Sequence, residues 1–489
     1  MSASKDRKLR KEQIAAGTDK RSLAEAKAKA ERRKTNITYS IVAAVLVIFF
    51  AFIFIYNSAI PSRNTTAVTI DGQDYSVAQL NFYYSNAYMN FYNNNYYYVA
   101  MGMIFDPNES LADQEYSEGY SWRDYFLDAA VDNMRQVQML NDQAEAAGFT
   151  LSAEEQAEYD EAIANMQTSW EAMGYSSLAQ YLNLNYGKGV DEQMVIDEMY
   201  RLYVASAYSE QVAESYEYTT EELDAYYADH ADELDVINYM YYVVSDDTVD
   251  AQTMAEALNG TDADTFTEAL AENVEGAVPT TQSLAGGSLS DVYADWLLDA
   301  ARQSGDATAI ESDGATYVVM FLGRDDNSYP LVSFRHILIT AEDTDEDGEL
   351  SQEEIDAAAA EANDLYEQWL AGDATEDSFA ELANQYSDDG GSNTTGGLYE
   401  DVYQGQMVEP INDWLFEEGR QVGDTVVVSN DGSYTGTHVV YFVGADDLTF
   451  AQVQADGYLR SDAYNAWLEE NLANYEATTS HLKMAGKNH

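Results

Sequence analysis

The sequence predicts an α+β protein in which a mostly helical region precedes two tandem units of antiparallel sheet with surrounding helices. Three observations carry that reading. Helical patterning with legible caps fills most of residues 66–232, a set of motifs recurs at identical spacing in 233–325 and 331–445, and strand-like runs mark Phe334–Ile339 and Thr435–Phe442. A helical segment at 446–489 is expected to close the chain.

The N-terminus differs in kind from the rest. Residues 1–36 form a basic segment: Met1–Lys34 holds 12 Lys/Arg and 5 Asp/Glu, leaving 12 basic and 82 acidic residues for the remainder. Ile37–Tyr56 is an uncharged, largely apolar run of twenty residues. About 20 such residues suffice to span a bilayer as a helix, so a transmembrane helix is expected at 37–57. The basic flank puts the N-terminus in the cytoplasm and the bulk outside. A cleaved signal peptide would carry a shorter apolar region of about 7–15 residues.

The chain has no cysteine, which excludes disulfides, thiolate metal sites and a cysteine nucleophile. Its net charge of −63 argues against nucleic acid as a partner, because phosphates need Lys/Arg neutralisation. An acidic exterior suits a protein that stays soluble among polyanions and attracts cations.

Residues 66–72 read as a short strand with a turn at Asp71-Gly72. In the helical region that follows, Gly148 ends one helix, and Ser152-x-x-Glu155 and Thr219-x-x-Glu222 open others as capping boxes. Residues 81–100 are dense in aromatics, among them Phe82, Tyr83, Tyr84, Tyr88, Phe91, Tyr92, Tyr96, Tyr97 and Tyr98. Two readings stand: an aromatic crevice gripping unfolded chains, or an ordinary packing face built from tyrosine.

The repeat is explicit. Asp295-Trp296-Leu297, Arg302-Gln303 and Gly305-Asp306 answer Asp413-Trp414-Leu415, Arg420-Gln421 and Gly423-Asp424. Aligning Val236 with Val332 puts Met240 where the second copy has His336, and Tyr317 falls where it has His438. The first copy therefore lacks both histidines of the second.

In the second copy the order is Phe334-Arg335-His336-Ile337-Leu338-Ile339, then Tyr386-Ser387-Asp388-Asp389, Gly396-Gly397-Leu398, Gly405-Gln406-Met407 and finally Thr435-Gly436-Thr437-His438. This order resembles the parvulin family of peptidyl-prolyl isomerases, and the chain as a whole resembles exported foldases of the PrsA and SurA type. The resemblance implies that 66–232 is a chaperone-like domain, 233–325 a degenerate parvulin-like domain and 331–445 an isomerase domain. It further implies that the helix at 37–57 replaces the lipid anchor many such foldases use, and that the C-terminal helix folds back onto the N-terminal domain.

Rotating a peptide bond meets a barrier of about 18–20 kcal/mol. A catalyst need only bind the twisted amide better than either planar form. In the resembled family that task falls to two facing histidines, an Asp or Cys and a hydroxyl; carried over, these are His336, His438, Asp389 and Thr435. The family's proline pocket carries over to Leu398, Met407 and Ile411, the last where most members have Phe, with Phe416 at a second aromatic position read as core. No cofactor is required for this chemistry.

Residues 343–354 fit a twelve-residue calcium loop, with Asp343, Asp345, Asp347, Glu349 (through its carbonyl), Ser351 and Glu354 as ligands and Gly348 at the sharp turn. A strand rather than a helix precedes the loop, so a structural Ca²⁺ competes here with a plain acidic loop whose Ser351 and Glu354 cap the next helix. The function expected is a membrane-anchored extracytoplasmic foldase that isomerises X–Pro bonds in unfolded or proline-containing exported clients. The alternative is a non-catalytic chaperone that binds unfolded clients. Oligomeric state is not legible.

Overall fold

The computed structural model describes residues 6–9, 11, 20–244, 250–274, 276–345, 347–432 and 434–486; within 20–38 the side chains are described only at 27, 32 and 34, and those of 56 and 57 are not described. The chain divides into two units, Met1–Ser215 with Ala463–His489, and Tyr216–Asp462. The break after Ser215 falls earlier than the boundary at 232 that the sequence suggests.

Helix α1 (Lys20–Asn57) runs through the apolar stretch. Its described side chains from Tyr39 to Ile55 are exposed. Among the described residues, however, no helix is long and apolar enough to cross a membrane. The span expected at 37–57 is described in full only over 39–55, since the side chains at 37, 38, 56 and 57 lie outside the described residues.

In the first unit, β1 (Thr66–Ile70) and β2 (Gln73–Ser76) pair as a hairpin. Asp71 and Gly72 at its turn both have positive φ, 44° and 79°, the geometry that tight hairpins demand and that Asp-Gly supplies cheaply. Strand Ala477–Thr479, near the C-terminus, pairs with β1 on its other edge. The longer helices that follow are α2 (Val77–Asn94), α3 (Trp122–Ala147), α4 (Ala153–Ala172) and α5 (Glu192–Glu214). Gly148 ends α3 in the left-handed region and Ser152 with Glu155 forms the capping box of α4.

The aromatic run divides by burial. Phe82, Tyr83, Tyr84 and Tyr88 are core residues, whereas Tyr96, Tyr97 and Tyr98 are exposed. Most of its helical part is therefore a packing face. Trp467, Leu468 and Leu472 pack against the same core, so the C-terminal segment is built into this unit.

The second unit holds two four-stranded antiparallel sheets. The first comprises β3 (Val236–Val244), β4 (Thr280–Ala285), β5 (Ala307–Ser312) and β6 (Ala315–Asp325); the second β7 (Pro330–Thr340), β8 (Leu398–Val402), β9 (Thr425–Asn430) and β10 (Gly436–Thr449). Their orders are β4-β3-β6-β5 and β8-β7-β10-β9. The topology is the same in both, as the sequence repeat requires. The repeated Trp…Arg spacing has a physical cause, since Arg302 lies over the Trp296 ring and Arg420 over the Trp414 ring, at 4.8 and 3.9 Å.

Each sheet has two apolar faces. In the second, Ile337, Ile339, Val439 and Tyr441 pack with α6 (Gln352–Ala371) and α7 (Glu376–Tyr386). Because side chains alternate along a strand, Val332, Phe334, Val440 and Phe442 face the other way, joining Ile411 and Leu415 of the short helix Glu409–Leu415.

The register corrects the alignment of the repeats. Asn238 pairs with Gly323 and Tyr241 with Val319, while Ser333 pairs with Gly444 and His336 with Val440. Tyr241 is therefore the counterpart of His336, and Met240, one residue earlier, points to the helix-covered side with Val244 and Phe266. A one-residue shift exchanges the faces of a strand. Tyr317 pairs with Val243 as His438 pairs with Leu338, so tyrosines stand at both histidine positions of the first sheet.

Candidate active site

The two central strands of the second sheet bring two histidines together. His336 on β7 and His438 on β10 present Nδ1 atoms 3.1 Å apart, with ring centroids 5.2 Å apart and planes at 11°. Both are buried, with 5 % and 1 % of their surfaces exposed. They lie on the face of Phe334, Val440 and Phe442, as period-2 alternation dictates.

Asp389 comes from the turn after α7. Its Oδ2 lies 2.8 Å from His336 Nε2 and accepts from Ser392 Oγ at 2.5 Å and Tyr399 Oη at 2.9 Å. Its Oδ1 accepts from the Gly391 amide at 3.1 Å. The turn is fixed by Ser387, whose hydroxyl accepts from the Leu338 and Asp389 amides. It is also held by Gly397, which accepts from the His336 amide at 2.9 Å. Gly397 has φ +70°, and a Cβ there would come within 2.1 Å of the His336 carbonyl oxygen.

At the far end of the pair, Tyr434 Oη lies 2.8 Å from His438 Nε2. The sequence pointed to Thr435 for this hydroxyl. Thr435 instead accepts from the Ala341 amide through its carbonyl, a strand-end role. Tyr434, Ser392 and Tyr399 were not singled out in the sequence. Only the Asp389-Gly-Gly-Ser392 turn spacing offered a signal, and tyrosines in a chain holding 39 of them carry none.

Charge follows geometry. Burial holds His336 below the usual histidine value, against the pull of Asp389. Burial, then the neighbouring His336, pushes His438 down to about 4. Both imidazoles are thus neutral at pH 7. Burial alone would raise Asp389, but hydrogen bonds from Ser392, His336, Gly391 and Tyr399 outweigh it and hold the carboxyl well below the ordinary carboxylate range.

The candidate proline-pocket residues divide. Ile411 is buried in the cluster on the histidine face, with Met407 and Phe416 partly buried against it. Phe416 also meets Tyr329 edge-on at 5.5 Å. Leu398 pairs with Arg335 and stands outside this cluster; its neighbour Tyr399 joins it, stacked on Phe334 at 5.4 Å.

In the acidic loop, carboxylate oxygens of Asp343, Asp345 and Glu354 lie within 4.8 Å of one another. Asp343 accepts from the amides of Asp347 and Gly348, and Asp347 accepts from that of Glu349. Glu354 accepts from Thr344 and caps α6 together with Ser351. These hydrogen bonds hold Glu354 down to about 2. A cavity of about 650 Å³ beside the loop is lined by Thr340, Glu361, Tyr386 and Asp388 among others.

The second four-stranded sheet thus carries two facing neutral histidines and an ionised aspartate on one side. Residues 318–444 match the family model described as the PPIC-type PPIase domain; the chain carries a parvulin domain of this type. No curated protein sequence matches the chain. Among solved structures, it is similar to the foldase PrsA from Streptococcus pneumoniae (11 % identity, 76 % of this chain and 96 % of that one, TM-score 0.27). PrsA from Bacillus subtilis matches at 11 % identity over 84 % and 91 %, with TM-score 0.26. A third match comes from work on two SurA-like chaperones of Campylobacter jejuni, at 12 % identity over 83 % and 94 %, with TM-score 0.19. At such TM-scores these likenesses carry no weight for the arrangement of the units.

Proposed function

We propose that the chain is an extracytoplasmic foldase that catalyses cis/trans exchange of X–Pro bonds in its second sheet domain. The observation that carries this reading is the contact of two buried, neutral imidazoles with Asp389 behind one of them. No bond to the peptide need form. A dry, preorganised polar surface beside an apolar one can bind the carbonyl of a twisted amide better than that of a planar one. His336, His438 and Asp389 supply the polar side, and Met407, Ile411 and Phe416 the apolar side that would take the proline ring.

Unfolded, proline-containing exported proteins are the clients in this reading, and the apolar run of α1 is the membrane anchor, supported by its sequence and its basic flank. Ca²⁺ in the 343–354 loop is a structural addition to it, supported by the three converging carboxylates. Acceleration of exchange in a panel of X–Pro peptides by the full chain tests the activity. Sedimentation with membranes, resistant to high salt, tests the anchor.

The second reading, a chaperone without catalysis, is favoured by the first sheet, where Tyr241 and Tyr317 stand in place of the histidines. Suppression of client aggregation with no acceleration of any peptide would select it.

A further inference from the structure

The hydroxyl at the outer end of the histidine pair belongs to Tyr434, and the directions of the hydrogen bonds say what it does. An ionised carboxylate only accepts, so His336 Nε2, 2.8 Å from Asp389 Oδ2, carries a proton. A neutral imidazole carries one proton, which leaves His336 Nδ1 bare. That atom faces His438 Nδ1 at 3.1 Å, and two bare nitrogens at that distance would repel, so His438 Nδ1 holds the proton between them. His438 Nε2 is then bare and buried, and it needs a donor. The group 2.8 Å away is the Tyr434 hydroxyl.

From this geometry we infer that Tyr434 is a positioning residue: by donating to His438 Nε2 it sets the tautomer of His438 and, through it, the direction of the whole chain from Tyr434 to Asp389. Each link then runs one way: Tyr434 O–H to His438 Nε2, His438 Nδ1–H to His336 Nδ1, His336 Nε2–H to Asp389 Oδ2. The site is built to hold the phenol in place. Asn430, itself buried, donates to the Tyr434 carbonyl at 2.6 Å, and the Tyr434 ring meets His438 edge-on at 5.8 Å. The low proton affinity of both imidazoles agrees with one proton on each.

Without the phenol, the bare Nε2 of His438 would be left unsatisfied in a buried setting. The cheapest repair is to move the proton from Nδ1 to Nε2, which turns the Nδ1–Nδ1 contact into a repulsion and loosens the pair. A threonine or serine on the strand could not be exchanged for Tyr434 without moving the hydroxyl. The consequence for catalysis rests on the isomerase reading; the tautomer assignment does not.

The test uses the full chain labelled with ¹⁵N-histidine, which has only five histidines. Long-range proton–nitrogen spectra report which ring nitrogen is protonated, and His336→Gln and His438→Gln assign the signals. In the wild type, His438 should be protonated on Nδ1 and His336 on Nε2. Tyr434→Phe, which keeps the ring, should shift His438 toward the Nε2–H form and lower kcat/KM for X–Pro exchange about five- to twentyfold. A wild-type His438 protonated on Nε2, or a Tyr434→Phe spectrum unchanged at His438, overturns the assignment. Full exchange activity in Tyr434→Phe despite a switched tautomer overturns the catalytic consequence. If the wild type accelerates no peptide, the isomerase reading fails, and the spectra still decide the role of Tyr434.

Discussion

His336 and His438 meet through Nδ1 atoms 3.1 Å apart, with rings 11° from parallel and Asp389 closing one end. Two imidazoles so placed cannot both be charged. Burial keeps them neutral, His438 down to about 4.

Above pH 6.5 the pair is neutral whether the chain is folded or not. Between about 6.5 and 4 the unfolded chain takes up protons that the folded pair refuses, so stability falls as pH drops through that window. The loss from His438 is on the order of 3 kcal/mol when fully expressed. Asp389 adds to the loss only below its ordinary value of 3.8. Denaturation of the full chain from pH 7.5 to 4 should show this slope, and His438→Gln should flatten it. Exchange activity should hold to about pH 5 rather than fail near 6.5.

Asp389 accepts from three side chains and one amide. Asp389→Ala leaves a buried Ser392 hydroxyl and the His336 N–H without their acceptor, at about 1–3 kcal/mol. The expected result is a lower unfolding midpoint together with loss of most exchange activity. Asp389→Asn, which keeps an acceptor oxygen, should lose less of both.

Gly397 sits at φ +70° with its Cβ position 2.1 Å from the His336 carbonyl oxygen. Gly397→Ala must therefore move the strand that carries His336, at a cost of at least about 2 kcal/mol. Faster hydrogen exchange of the His336 amide, which Gly397 accepts, would report it. Protection equal to wild type would show that the close approach is not maintained.

The acidic loop gives a metal prediction independent of the histidines. Ca²⁺ should raise the thermal midpoint of the full chain by a few degrees, EGTA should remove the gain, and Asp343→Asn should abolish it. Mg²⁺, which demands tighter octahedral geometry and dehydrates reluctantly, should act weakly. No shift at millimolar Ca²⁺ would leave Glu354 as a helix cap and no more.

Sequence carried some of this structure better than the rest, for physical reasons. Caps and turns are local, so Gly148, Ser152 with Glu155, and Asp71-Gly72 were readable from a few adjacent residues. The repeated Trp-Arg spacing was readable because each pair closes within one short segment. Register is not local: which of Met240 and Tyr241 answers His336 depends on pairing with a strand about eighty residues away, and aligning Val236 with Val332 is off by one residue there. The Tyr434 hydroxyl lies only four residues from His438, but backbone direction decides where it reaches, and tyrosine is too common in this chain to mark it. Burial divided the run at 81–100 between core and surface, a distinction its composition does not contain.

The central claim is tested most directly by prolyl exchange on X–Pro peptides with the full chain beside His336→Ala and His438→Ala, each checked for an unchanged fold by near-UV circular dichroism. Acceleration by the wild type that falls at least about a hundredfold in both variants is the expected result, on the scale of losing preorganised polar groups from an active site. Acceleration that survives in either variant, or no acceleration by the wild type of any peptide, would contradict it.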